Sequence, residues 1–270
     1  MNELLEAGHT MVVDADIKSY FDTIPQQQLM ERVKEKVADG KVLTLLESYL
    51  NQDVMETTGR WTPEVGTPQG AVISPLLANI YLDPLDQMMA RRGYEMVRYA
   101  DDFVILCRSE EEAHGALDMV KQWIEAVGLK LHPDKTRIVD ATKPGGFEFL
   151  GYHFERGYRW PRKKSMKKFK DTIRAKTRRT SGQSLKTIIT NVNKTLVGWF
   201  EYFKHSHKTT FRPLDRWIRM RLRSILRKRK GGRGRGRGLD QLRWPNTFFA
   251  EQGLIFMVTA HAQACQSSMR

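Results

Sequence analysis

Residues 94–107 read YEMVRYADDFVILC, two short apolar arms, YEMVRY and FVILC, either side of Ala100, Asp101 and Asp102. The arms suit neighbouring strands and only the residues between them form turns, so the stretch predicts a hairpin. Two adjacent carboxylates at the tip of a buried hairpin are costly, because desolvation opposes their charge unless a cation lies against them. A third is placed in the same way: residues 11–15, MVVDA, predict a buried strand that runs into Asp16. Carboxylate oxygens are what Mg2+ prefers. Two such ions about 4 Å apart activate the attacking oxygen and stabilise the leaving one in in-line phosphoryl transfer. The plainer alternative is a turn-stabilising Asp-Asp pair beside an unrelated strand-end aspartate, and a DD dipeptide alone does not separate the two.

Working outward, Pro25 opens an amphipathic segment at 28–37 that Gly40 ends, residues 41–52 repeat the helical pattern, and 57–70, rich in Gly and Pro, reads as a loop. Pro75 enters a long helix over 74–92, and an amphipathic helix over 110–127 is stopped by Gly128. Short strands are expected at 130–131, 137–139 and 147–154, then three helices at roughly 165–179, 184–204 and 211–229. The chain therefore predicts an α+β first half and an all-α second half, with a boundary between Glu155 and Pro161. No internal repeat is visible.

The formal net charge of +14 conceals two halves of opposite sign. Residues 1–155 hold 15 Lys+Arg against 26 Asp+Glu, net −11, whereas 156–270 hold 30 against 5, net +25. So dense a positive block is the footprint of a polyanion, since every phosphate neutralised releases condensed counterions. Nucleic acid is the expected partner, met by Arg162, Lys163, Lys164, Arg178, Arg179, Arg233, Arg235 and Arg237. A solvated or membrane-facing basic surface is the alternative. Trp160, Trp199, Tyr202, Phe203 and Trp217 are interleaved with these charges and offer either stacking faces or helix core. GGRGRGRG, at 231–238, has too little apolar surface to fold alone and reads as an RNA-engaging RG segment or a flexible linker. The segment beyond it, with Trp244, Phe248, Phe249, Ile255 and Phe256, is apolar enough to dock back. Cys107 and Cys265 stand far apart with no CxxC, which argues against a zinc module or disulfide framework. No run of about 18 apolar residues and no signal-peptide pattern occurs, so a cytoplasmic protein without membrane partners is expected.

Five segments carry a resemblance. VVDADIKSYFDTIP (12–25), GTPQGAVISPLLANIYLD (66–83), RYADDFVIL (98–106), GLKLHPDKT (128–136) and FEFLGYHF (147–154) stand in the order and approximate spacing of successive reverse-transcriptase motifs. Over this span the chain resembles the reverse transcriptases of group II introns, and LVGWFEYF (196–203) resembles the maturase or X domain that follows the polymerase in that family. The resemblance implies an antiparallel palm packed on helices over 1–155, a helical thumb/maturase domain over 156–230, and an RG-rich linker with a C-terminal segment over 231–270. It implies RNA-directed DNA polymerisation with two Mg2+ ions, dNTP substrates, an intron RNA template and a DNA primer. Asp16 matches the first catalytic aspartate, because the family's aromatic gate lies five residues later and Phe21 is there; Asp14 is then structural. Asp101 matches the second metal ligand and Asp102 the adjacent one.

Phe21 resembles the gate whose ring leaves no room for a ribose 2′-hydroxyl, with a core aromatic as the alternative. Gln69, Gly70 and Ala71 match the nucleotide pocket, and Lys135 matches a lysine near the triphosphate, with an exposed strand-end lysine as its alternative. Phe149, Leu150 and Gly151 resemble the primer grip. Fifteen residues precede Asp16, so the family's basic fingers have no counterpart here, and the expectation is a chain that binds primer–template but extends it poorly alone. A non-catalytic, maturase-like splicing factor and an inactive remnant are competing readings.

Overall fold

The computed structural model describes residues 1–51, 54–56, 59–61, 65–67, 71–236 and 238–267. The chain divides into two units, Met1–Leu150 with Glu155–Gly157, and Gly151–Phe154 with Tyr158–Arg270. In order, the first unit contains α1 (Asn2–Glu6), β1 (Met11–Asp16), α2 (Tyr20–Thr23), α3 (Gln26–Lys34), α4 (Gly40–Leu50), β2 (Val54–Glu56), β3 (Gly59–Trp61), α5 (Ser74–Arg91), β4 (Glu95–Tyr99), β5 (Asp102–Cys107), α6 (Glu110–Ala126), β6 (Arg137–Asp140) and β7 (Phe147–Phe149).

The expected hairpin forms as β4 and β5, and β1 lies on the far side of β5 in an antiparallel sheet of order β4-β5-β1-β6. Strand alternation sorts its residues onto two faces. One face carries Val13, Ala15, Phe103, Ile105 and Cys107, all in the core cluster with Leu29 of α3, Leu77 and Tyr81 of α5, and Val120 and Ile124 of α6. On the other face Val12, Val104 and Leu106 are also fully buried. Burial on both sides explains why β5 reads as an unbroken apolar run rather than an alternation. Ser109 caps α6 by accepting from the Glu112 amide at 3.1 Å while the Glu112 carboxylate accepts from the Arg108 amide at 2.7 Å, which satisfies donors a helix start leaves open.

Three expectations need correction. Part of the loop at 57–70 is strand, since β2 pairs with β3 antiparallel. Residues 130–131 form no strand, only a single bridge between Ile17 and Leu131. The strand expected over 147–154 is broken, because Leu150 adopts φ 48° and Gly151 φ 80°, a conformation that cannot continue a β ladder.

The second unit holds most of β8 (Tyr152–Glu155), then β9 (Tyr158–Pro161), α7 (Lys163–Lys176), α8 (Leu185–Phe203), a 3-10 turn (Lys208–Thr210), α9 (Phe211–Arg229), α10 (Leu239–Arg243), α11 (Asn246–Glu251) and α12 (Met257–Ser267). Helical spacing on α8 buries Ile188, Ile189, Val192, Leu196 and Phe200 against Phe169 and Ile173 of α7 and Leu214, Ile218 and Leu222 of α9. Trp244, Phe249, Leu254 and Met257 join the same core, so the C-terminal segment docks back as its apolar content required. Buried Asp215 on α9 accepts from the Met257 and Val258 amides at 3.2 and 3.0 Å, fixing the start of α12. Among the described residues no helix is long and apolar enough to cross a membrane.

The RG segment departs from the linker expected of it. Over 231–236 its backbone is held by charged and polar side chains rather than by apolar ones: Arg227 Nε donates to the Arg233 carbonyl at 2.8 Å, Arg179 Nη1 to that of Gly234 at 3.2 Å, and the buried Gly236 amide donates to Ser224 Oγ at 3.0 Å. A Cβ on Gly236 would stand 2.5 Å from Arg223 Cβ, so only glycine lets the backbone approach α9 so closely. Gly236→Ala is accordingly expected to cost about 1–3 kcal/mol in urea unfolding and to strip hydrogen-exchange protection from the Gly236 amide. A variant as stable and protected as the parent would show that the segment is not seated there.

Candidate active site and nucleic-acid surface

The antiparallel register of β1 and β5 sets Asp16 directly opposite Asp102 and Asp14 opposite Val104. Directly opposed residues project to the same face of a sheet, so Asp14, Asp16 and Asp102 share the face of Val12 and Leu106. The hairpin turn places the third carboxylate. Ala100 takes φ 55°, which breaks strand alternation just ahead of Asp101, and Asp101 lies within electrostatic range of Asp16 and Lys135. Burial pushes the Asp101 carboxyl up from the usual carboxylate range; its own backbone amide opposes this, and the charge of Asp16 adds to the rise.

A cation already faces this cluster. Lys135 Nζ donates to Asp16 Oδ2 at 2.5 Å, and that bond raises the lysine's own pKa. Asp14 differs: Arg137 Nε and Nη2 both donate to its Oδ2 at 3.2 Å. Burial raises Asp14 while Arg137 opposes the rise. Among the described residues no three His, Cys, Asp or Glu side chains close into a metal-holding group. The structure thus sets Asp16 opposite Asp102 and brings Asp101 within electrostatic range of Asp16 without converging all three on one point. Their hard oxygen donors are of the kind Mg2+ takes.

Phe21 lies on α2 partly buried against the core. The segment at 65–67 is bound to its backbone: the Thr67 amide donates to the Phe21 carbonyl at 2.6 Å and the Gly66 amide to that of Ile24 at 2.8 Å. Gly66 has φ 87°, and a Cβ there would lie 2.7 Å from the Phe21 carbonyl oxygen, so the approach demands glycine. Gln69 and Gly70 lie outside the described residues; Ala71 is half-buried just ahead of α5. Of the primer-grip residues, Phe149 is buried at the end of β7 and Leu150 and Gly151 form the turn that follows.

In the second unit Lys163 and Lys164 stand exposed at the start of α7, and Arg178, Arg179, Arg233 and Arg235 are exposed beyond its end and in the RG segment. Arg162 is half-buried, its amide bonded to the Gly151 carbonyl at 2.9 Å and its Nε buried with no hydrogen-bond partner among the described residues. Arg237 lies outside the described residues.

The model of the family described as reverse transcriptase (RNA-dependent DNA polymerase) matches residues 2–154. The chain belongs to that family. The model of the group II intron maturase-specific domain matches residues 166–244, so this is a reverse transcriptase of the group II intron type. Protein YkfC of Escherichia coli (strain K12) is 28% identical over 198 residues, 57% of this chain and 50% of that protein. Group II intron-encoded protein LtrA of Lactococcus lactis subsp. cremoris is 25% identical over 210 residues, 54% of this chain and 35% of that protein. The chain spans half or less of the length of these relatives. Apo telomerase from Candida tropicalis shares the fold, with a TM-score of 0.53 at 14% identity, over 84% of this chain and 42% of that one.

Two residues that tie the elements around these carboxylates together carry no motif of their own. Arg98, its side chain only 9% exposed, forms an ion pair with Asp86 of α5 and donates through Nη1 to the Ala100 carbonyl and to Asn79 Oδ1, each at 2.9 Å. It thereby clamps the hairpin turn to α5. The His132 amide donates to the Asp16 carbonyl at 2.8 Å, tying the loop that carries Lys135 to the end of β1. An arginine inside a predicted strand arm was the available signal for the first; a backbone bond leaves none in sequence.

Proposed function

We propose that the chain is an RNA-directed DNA polymerase with a maturase role in a group II intron-type element, its palm over residues 1–155 and its RNA-binding surface beyond. The observation that carries the reading is the register setting Asp16 opposite Asp102 beside a hairpin tip that presents Asp101. These three carboxylates would hold two Mg2+ ions, which when bound supply Lewis-acid stabilisation of the attacking and leaving oxygens. Lys135, released from Asp16 once metal is bound, would offset charge on the leaving pyrophosphate. Phe21 excludes the 2′-hydroxyl, and the family resemblance assigns Gln69, Gly70 and Ala71 to the nucleotide pocket. Phe149, Leu150 and Gly151 seat the primer's 3′ end, and the exposed Lys and Arg of the second unit contact RNA phosphates.

Primer extension on an RNA template tests the reading. Incorporation of dNTPs that is weak, requires Mg2+ and disappears with EDTA is expected of this chain. RNA binding with no incorporation would leave a maturase-like binding protein instead.

Phe21→Ala should lower the preference for dNTPs over rNTPs by at least about tenfold, the scale at which a steric pocket discriminates. The ratio of kcat/KM values for matched nucleotides measures it. An unchanged ratio would make Phe21 a packing residue and weaken the assignment of Asp16.

A further inference from the structure

A small aromatic cluster in the second unit has no part in the hydrophobic core. Tyr158 and Trp160 alternate on β9, and His207 stands ahead of the 3-10 turn. Tyr158 and His207 meet edge to face with ring centroids 4.7 Å apart, Trp160 and His207 at 5.9 Å, and Tyr158 and Trp160 at 5.9 Å. Trp199, Phe200 and Phe203 of α8, by contrast, are turned inward; Phe200 is buried in the core and Trp199 packs against it. Tyr158 remains 55% exposed. Trp160 and His207 beneath it are half-buried, and a tyrosine that packs on two neighbouring rings yet keeps this much surface in water is poorly explained as core.

The cluster is held rigid. The His207 amide donates to the Arg159 carbonyl at 2.8 Å, Arg159 Nε donates to the His205 carbonyl at 2.7 Å, and His207 Nδ1 lies 2.7 Å from Thr209 Oγ1. Positive φ at both Arg156 (51°) and Gly157 (75°) closes the β8–β9 turn in the manner of a tight two-residue hairpin. Its setting is cationic: residues 156–170 contain eight Lys+Arg and no Asp or Glu.

We propose that Tyr158, Trp160 and His207 form a stacking platform for unstacked bases of single-stranded nucleic acid. Every base presents a π-face, so such a platform selects single strands over duplexes with little regard to sequence, while the surrounding cations meet the backbone. Fixing the rings in advance removes the ordering cost that flexible side chains would bring on binding. The inference rests on the nucleic-acid reading of the second unit and says which form of strand it takes.

The test uses the full chain and fluorescence anisotropy with four probes: an unstructured single-stranded RNA, the same sequence as DNA, an abasic strand of equal length, and an RNA duplex. Tyr158→Ala and Trp160→Ala should each weaken binding of base-bearing single strands by about 5- to 150-fold, the range for loss of one base–aromatic stack. Abasic and duplex probes should be unaffected, and Tyr158→Phe and Trp160→Phe should bind as the parent does. Equal losses for RNA and DNA would mean that either strand occupies the platform, and a loss confined to RNA would assign it to the RNA. Wild-type affinity in both alanine variants would overturn the proposal. So would an equal loss on the abasic strand, or a failure of phenylalanine to restore binding, since either points to folding or charge rather than stacking. Primer extension, measured separately, reports on the polymerase reading: extension that persists while the platform variants bind normally would sink only the platform.

Discussion

Asp101→Asn is expected to reduce primer extension by about 10²- to 10³-fold, the scale seen when one group stabilising transition-state charge is lost from a closed site, while RNA affinity stays at the parental level. The amide keeps the shape of the side chain and removes the charge, so a loss of that size reports on cation binding rather than packing. Asp14→Asn is the matched control, two residues from Asp16 on the same strand face. Asp14 pairs with Arg137, whose side chain is 53% exposed, so its replacement forfeits an ion pair worth about 1 kcal/mol or less and should leave extension within about tenfold of the parent. Single-turnover extension and urea unfolding, run on both variants, separate catalytic loss from instability. Equal damage by the two substitutions would shift the first ligand from Asp16 toward Asp14. An Asp101→Asn variant retaining a tenth of the activity would remove the two-metal assignment altogether.

The second large effect is on binding. If the basic half contacts about six to ten phosphates, affinity for RNA should fall by about 10³- to 10⁵-fold between roughly 50 and 200 mM salt, because each contact releases a condensed counterion. The RG segment is a specific place to look. Its backbone carbonyls are engaged by Arg227 and Arg179, while the Arg233 and Arg235 side chains remain exposed. Anchoring of this kind presents guanidinium groups to a polyanion without the cost of ordering a free loop. Replacing both with Gln should lower the slope of log affinity against log salt by about two, one for each phosphate contact, and do so alike for unrelated RNA sequences. Affinity indifferent to salt over that range would contradict electrostatic docking by this half. A slope unchanged in the double variant would confine the contacts to the helices.

Local chemistry made much of the fold legible. The β4–β5 hairpin, β1, α5, α6 and the three long helices follow from apolar periodicity and from punctuating residues such as Pro75 and Gly128, signals confined to a few neighbouring positions. Three departures have one cause, competition from distant partners. Residues 130–131 have strand-like composition but find only one bridge to Ile17. Leu150 looks like strand interior, yet adopts a left-handed conformation that a non-glycine residue accepts only when its surroundings impose it. The RG segment carries no apolar surface and still docks, because its contacts are backbone carbonyls taken by arginines from α9 and from beyond α7.

Legible in the sequence were the family resemblance, the long helices with the hairpin and the strand ahead of Asp16, and the aspartates at strand ends, because motif order, periodicity and the expense of a carboxylate in a buried strand are properties of residues near one another in the chain. The sequence also determined that positive charge gathers in the second half. Only the tertiary structure decided that Asp16 faces Asp102, that Lys135 lies on Asp16, that Arg98 clamps the hairpin turn to α5, and that Tyr158, Trp160 and His207 share one surface. Strand register, ion pairs across more than a hundred residues and rings brought together from two segments all depend on how the core closes, and a linear pattern records which residues are available for such contacts but not which of them meet.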